Sequence, residues 1–180
     1  MNLSWLVIDD FHPEFESLRE LADVLDYEDV INPVDGVVYP GICRIEDLGV
    51  RELLEQALHR KVTVHHQFLR LSLAGAEPPH WAHHDGTMGD YSLMLYMTRL
   101  DACKGGTALL EHIEYDTYVP DEIWRRDTNR RQQWRVLSEC PMRPNRAFIF
   151  RANLWHAALP FGGFGTDAID GRLVLTAFFQ

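Results

Sequence analysis

His80-Trp81-Ala82-His83-His84-Asp85-Gly86 is the stretch on which the reading of this chain turns. In an extended segment successive side chains alternate, so His83 and Asp85 leave one face and His84 the other. A third ligand brought opposite them completes a two-histidine, one-carboxylate facial set. Such a set suits ferrous iron and leaves the remaining positions open for a cosubstrate and oxygen. The candidate third ligand is His156, in Asn153-Leu154-Trp155-His156-Ala157. His80 and His84 fit the pattern less well, His80 because it precedes the strand and His84 because of its phase. A lone His-x-Asp is more often a solvated turn. His-x-Asp, then a distant histidine, then an arginine heading a terminal apolar run (Arg172) is a far more specific order.

Upstream, Ser4 to Asp9 reads as a short strand. Phe11, Phe15, Leu18, Leu21, Ala22 and Leu25 then recur at helical spacing, with Pro13 suited to the first helical position. Asn32 to Gly41 is loop-like, with room for one strand at Val37-Val38-Tyr39. Asp47 is expected to cap a second helix that carries Val50, Leu53, Leu54 and Ala57 on one face and ends in His59, Arg60 and Lys61. From Val62 the period becomes two. Leu69, Leu71 and Leu73 alternate with Phe68, Arg70 and Ser72, so one phase packs under the helices and the other faces a barrel interior.

Downstream, Tyr91 to Thr98 reads as a strand, and Lys104-Gly105-Gly106 as a hairpin turn before Thr107 to Glu111. Asp121 to Leu137 is Arg-rich and reads as helical or irregular. Arg146 to Phe150 and Arg172 to Phe179 are the last strands, with Gly162 to Gly171 as a long hairpin. Two helices followed by about seven short strands predict a mainly β, jelly-roll barrel with helices covering one sheet. One domain is expected across residues 1–180, with a barrel core over about 62–180 and a helical cover over about 11–61.

Hydrophobic residues at 46% of the 180 predict a folded core without disulfide or structural-metal staples. A formal charge of −10 argues against nucleic acid or an acidic membrane as a partner. Three cysteines without CxxC spacing point to reduced thiols and a cytoplasmic setting. No run has the length of a membrane helix and no signal peptide is evident. The pattern leaves the oligomeric state open, a homodimer included.

His83-x-Asp85, Gly105-Gly106-Thr107, Pro144-Asn145-Arg146-Ala147-Phe148-Ile149-Phe150, His156 and Arg172 occur in an order that resembles the iron(II)/2-oxoglutarate-dependent oxygenases, in particular the prolyl-4-hydroxylase-like branch. The resemblance covers roughly residues 62 to 180. It implies a double-stranded β-helix, with iron(II) on the catalytic residues His83, Asp85 and His156. It also implies O2 and 2-oxoglutarate as cosubstrates, with the far carboxylate of the oxo acid on Arg172. A planar, permanently charged guanidinium matches that carboxylate. The small hydroxyl residue often found two positions after that arginine is replaced by Val174, and Thr176 lies one strand repeat further. Arg70 competes with Arg172 as the anchor, and Tyr96 or Tyr91 could hydrogen-bond the cosubstrate.

The expected reaction is hydroxylation of a small molecule or an amino-acid or peptide side chain, releasing succinate and carbon dioxide. A cupin-like metal enzyme that needs no 2-oxo acid and a non-catalytic metal-binding barrel are the alternatives. His65, His66 and His112 read as ordinary strand or surface histidines. The cluster Arg125, Arg126, Arg130, Arg131 and Arg135 reads as a solvated face, or as a segment near the barrel mouth that holds an anionic substrate.

Overall fold

A computed structural model of the chain describes residues 4–31, 36–46, 48–76, 79–116 and 118–180. Its strands are β1 (Trp5–Ile8), β2 (Glu28–Ile31), β3 (Val38–Cys43), β4 (Val64–Ser72), β5 (Tyr91–Tyr96), β6 (Gly106–His112), β7 (Trp134–Pro141), β8 (Ala147–Arg151), β9 (His156–Leu159) and β10 (Arg172–Phe179). The helices are α1 (Phe15–Asp23), α2 (Val50–Leu58) and α3 (Asp121–Asp127), with a 3-10 turn at Arg131–Gln133. Seven strands form a large antiparallel sheet in the order β1-β8-β5-β10-β4-β3-β2. The other three form a small sheet, β7-β6-β9, facing it. This mainly β arrangement with packing helices is a double-stranded β-helix.

Period-two alternation decides what each face of the large sheet meets. Leu69 and Leu71 of β4, Leu93 and Leu95 of β5, and Leu173 and Leu175 of β10 point outward, onto Phe15, Leu18 and Ala22 of α1 and Val50 and Leu54 of α2. The opposite phase points between the sheets, where Phe148, Phe150 and Val174 meet Leu109 and Cys140 of the small sheet. Arg70 and Arg172 belong to this inward phase. A third cluster, built on Trp81, Trp134 and Trp155, covers the outer face of the small sheet.

Several local expectations are corrected. Lys104-Gly105-Gly106 is not a hairpin turn: β5 is already flanked by β8 and β10, so the chain crosses to the small sheet to begin β6. A diglycine reports that the chain bends, not which sheet it enters. Gly162 to Gly171 is likewise a crossover, from β9 in the small sheet to β10 in the large one. The Arg-rich segment holds α3 but ends in β7, an edge strand whose polar, exposed residues conceal its strand character. The short strand β2 lies outside the expected elements, His156 opens a short strand of its own (β9), and β3 is longer than expected.

Pro13 does not open α1. Asn145 holds His12 from both sides, accepting from its N–H at 2.8 Å and donating to its carbonyl at 3.0 Å, and the helix starts at Phe15. Phe11 and Leu25 pack with the core from outside that helix, and Leu21 is exposed. α2 begins after Gly49 and ends at Leu58, so His59, Arg60 and Lys61 follow it, while Asp47 lies outside the described residues.

Candidate metal centre

His83 and His156 come together through backbone pairing, although 73 positions separate them in the chain. The His83 N–H donates to the His156 carbonyl at 3.1 Å, and the His156 N–H returns to His83 at 2.8 Å. The His83-His84-Asp85 triplet thus forms a bridge on β9, extending the small sheet by one rung. Two residues on, the Asp85 N–H donates to the Ala152 carbonyl at 2.7 Å. From the other side α3 grips the residue before the triplet. The Ala82 carbonyl accepts from Trp124 Nε1 at 2.8 Å and Thr128 Oγ1 at 2.7 Å, and its N–H donates to the Thr128 carbonyl at 3.0 Å.

The three candidate ligand atoms lie within 4.8 Å of one another. Both imidazoles turn Nδ1 toward a backbone carbonyl, His83 to Trp81 at 3.2 Å and His156 to Leu154 at 3.0 Å. A proton on each Nδ1 satisfies those carbonyls and leaves Nε2 a lone pair, the tautomer a metal needs. His156 Nε2 is buried without a hydrogen bond, although Asp85 Oδ2 is only 3.3 Å away. Two electron-rich atoms that close are mutually repulsive unless a proton or a metal ion lies between them. Ligands about 2.1 Å from a shared ion sit about 3 Å apart at right angles, so the donor set fits a divalent metal.

Burial, reinforced by His156, holds the His83 imidazolium pKa down to about 3, so the ring is neutral near pH 7. Burial pushes Asp85 the other way, but the two imidazoles and Ser92 outweigh it and hold the carboxyl down to about 2. Ser92, whose Oγ is 3.3 Å from Asp85 Oδ2, escaped the sequence reading. Its signal was a fully buried serine inside the apolar strand β5.

His84 points away, against the Trp155 ring at 4.6 Å. His80 lies in the loop before the triplet, against Trp124. His65 and His66 are exposed on β4, and His112 is a strand histidine, the last residue of β6, buried with Nε2 3.2 Å from Asp127 Oδ2.

Beside the centre lies a narrow cleft, part of it open to solvent. Arg70, His80, Trp81, His83, Phe161 and Arg172 contribute to its walls, and no carboxylate among the described residues does. In the β4–β10 ladder Arg70 stands opposite Val174, next to Arg172 on the same face. One Arg172 Nη donates to the Gly106 carbonyl at 3.2 Å, while the buried Nε atoms of both arginines have no acceptor. Burial, with Arg70 adding to it, lowers the Arg172 pKa to about 10, so the side chain stays charged near pH 7.

Two other expected cosubstrate residues do not join the cleft. Tyr96 is fully buried, with its hydroxyl 2.9 Å from Thr107 Oγ1 and 3.1 Å from the Cys140 carbonyl, so its single proton is committed within the core. The Thr176 hydroxyl lies 3.5 Å from Met94 Sδ. Tyr91 stacks on Phe179 at 5.5 Å.

No protein-family model and no curated protein sequence matches this chain. Solved structures do. An epimerase, SnoN, in complex with ferric iron, alpha-ketoglutarate and a nogalamycin compound aligns over 98% of this chain and 78% of its own, at a TM-score of 0.63 and 15% identity. An oxidoreductase of the 2OG-Fe(II) oxygenase family from Burkholderia pseudomallei aligns over 99% and 86%, at 0.57 and 10%. A prolyl-4-hydroxylase from Pseudomonas putida aligns over 99% and 93%, at 0.52 and 17%. The two-sheet frame that brings His83, Asp85 and His156 beside an arginine-lined cleft is therefore a fold shared with an alpha-ketoglutarate-bound epimerase, a member of the 2OG-Fe(II) oxygenase family and a prolyl-4-hydroxylase.

Proposed function

We propose that this chain is an iron(II)- and 2-oxoglutarate-dependent oxygenase. It hydroxylates a small molecule or an amino-acid or peptide side chain and releases succinate and carbon dioxide. One observation carries the reading: three converging metal donors with free lone pairs open beside a cleft holding two guanidinium groups and, among the described residues, no carboxylate. A metal-binding barrel without a 2-oxo acid has no need of the second half of that arrangement.

His83, Asp85 and His156 would hold the metal, which when bound supplies the redox chemistry that couples oxidative decarboxylation to substrate oxidation. The Trp81 and Leu154 carbonyls fix the imidazole tautomers, and Ser92 orients the Asp85 carboxylate. Arg172 pairs with the far carboxylate of the oxo acid. Arg70, standing where its cross-strand partner Val174 offers no hydroxyl, supplies the further donors that the arginine position alone lacks. Burying both guanidiniums is offset only when an anion enters, which favours a dicarboxylate over a neutral ligand. Tyr96 and Thr176 support the inner wall of the barrel and do not touch the cosubstrate.

Three free cysteines, two of them buried, fit a reducing, cytoplasmic setting. Residues 1–180 then act as one oxygenase domain. No helix among the described residues is long and apolar enough to cross a membrane.

The test is succinate formation by the iron-loaded protein, together with anaerobic calorimetric titration of 2-oxoglutarate into the Mn(II)-loaded protein. Arg172→Ala is expected to raise the 2-oxoglutarate dissociation constant about a hundredfold, the effect of leaving one side of a buried charged pair unmatched. Arg70→Ala raises it less, and Mn(II) affinity holds in both. Wild-type protein that neither binds 2-oxoglutarate nor forms succinate overturns the reading in favour of a metal protein that uses no oxo acid.

A further inference from the structure

The arginine-rich segment between α3 and β7 is mostly accounted for by its own neighbours. Arg126 and Arg130 pair with the buried Asp127, Arg135 pairs with Glu111, and Arg125 lies over the adjacent Trp124 ring. Arg131 differs. It is exposed and pairs with no carboxylate among the described residues, and its guanidinium lies 5.5 Å from the Trp81 ring centre and 5.2 Å from that of Phe161. Both rings are walls of the cleft beside the metal centre. The position is built rather than incidental. Asn129, two residues earlier, accepts from the Trp81 N–H at 2.8 Å and donates to the Pro79 carbonyl at 3.0 Å, tying this segment to the rim.

A second donor belongs to one of those two rings. Trp81 is only 7% exposed, yet its indole N–H is buried with no acceptor. A buried N–H without a partner is costly, and on a residue of a cleft wall it is a donor that a bound ligand can satisfy. Arg70 and Arg172, deeper in the cleft, already answer the charge of the oxo acid. The outer pair is left for the other reactant.

We infer that Arg131 and the Trp81 indole form an anion subsite at the mouth of the cleft, so that the substrate to be oxidised carries a carboxylate or a phosphate. This rests on the oxygenase reading and adds the substrate class to it. A guanidinium supported on two aromatic faces keeps its edge donors free, and that planar fork matches either anion.

The probes are matched sets of small metabolites, each as carboxylate, phosphomonoester and uncharged primary amide or alcohol. Their binding to protein loaded with Zn(II), a diamagnetic stand-in for iron, is followed by saturation-transfer NMR with and without 2-oxoglutarate. Anionic members are expected to bind about tenfold or more tighter than their neutral counterparts, the scale of a charge-assisted contact. The better of the two anions identifies the group. Arg131→Gln and Trp81→Phe each weaken the preferred anion about tenfold while 2-oxoglutarate affinity holds, and Arg131→Lys recovers part of the loss. Arg131 is exposed, so its variants fold even if Trp81→Phe does not.

A panel in which no anion outbinds its neutral partner overturns the subsite. So does an Arg131→Gln variant that loses 2-oxoglutarate as Arg172→Ala does, because the outer donors then belong to the cosubstrate. Wild-type protein that ignores 2-oxoglutarate refutes the oxygenase reading, and the arm without the oxo acid still decides whether the anion subsite exists.

Discussion

His83, Asp85 and His156 gather donors that repel one another in the absence of a cation, and this sets what single substitutions do. Alanine at any of the three removes a candidate ligand, and Mn(II) affinity measured by calorimetry is expected to fall at least a hundredfold, below detection for Asp85→Ala, whose charge is lost as well. His84→Ala leaves it unchanged, because that ring rests on Trp155 instead. The buried imidazole also makes the metal-free protein sensitive to acid. The His83 pKa is about 3 when folded against an ordinary 6.5, so between those values the unfolded chain holds a proton that the folded chain does not. Its contribution to stability is therefore lost as pH falls from about 6.5 toward 3. Asp85 acts in the same direction over a lower window, between its ordinary 3.8 and about 2. Urea unfolding of metal-free protein at about pH 7.5 and about pH 5 isolates the His83 part. Wild type is expected to lose more stability on acidification than His83→Asn, which cannot titrate. Equal losses in the two proteins would show that the imidazole is not held neutral.

Individual elements set the positions of these residues. α3 is more than a polar cover, since Trp124 and Thr128 both close on the Ala82 carbonyl and fix the triplet that follows. At the entry to β6, Gly106 has a φ of 151°, and a Cβ there would stand 2.0 Å from the Cys140 carbonyl oxygen. Its own carbonyl accepts from Arg172. Gly106→Ala must therefore push β6 from β7 and disturb the arginine together. It is expected to cost about 2 kcal/mol or more of stability and to weaken 2-oxoglutarate binding, with Mn(II) binding less affected. Denaturant melts and the calorimetric titrations read both effects. Thr128→Val, which deletes one buried hydrogen bond and keeps the shape, is expected to cost about 1 kcal/mol.

At the scale of the whole molecule, a metal on donors from two distant segments acts as a cross-link, so Mn(II) at about a hundred times its dissociation constant adds about 2.7 kcal/mol. For a chain of this size that is roughly 5–10 °C in melting temperature, with a shift of about 1 °C or less expected in His156→Ala. Much of the architecture can be read from the chain alone, because it rests on local alternation. The phase of Leu69, Arg70 and Leu71 assigns one face to the helices and the other to the barrel, and His83-His84-Asp85 separates two candidate ligands from a bystander by the same rule. Where a strand goes after it ends is not a local property. The Lys104-Gly105-Gly106 bend, the crossover after β9 and the edge strand β7 depended on which neighbours remained unpaired, and only the assembled sheets specify that. The site divides in the same way. Residue order named His83, Asp85, His156 and Arg172. Ser92 reaches Asp85 across the short turn that precedes β5, a local contact that residue order does not spell out. The grip of α3 on Ala82, Arg131 against Trp81 and Phe161, and the withdrawal of Tyr96 into the core arise from contacts between segments far apart in the chain, made only when the two sheets close on each other.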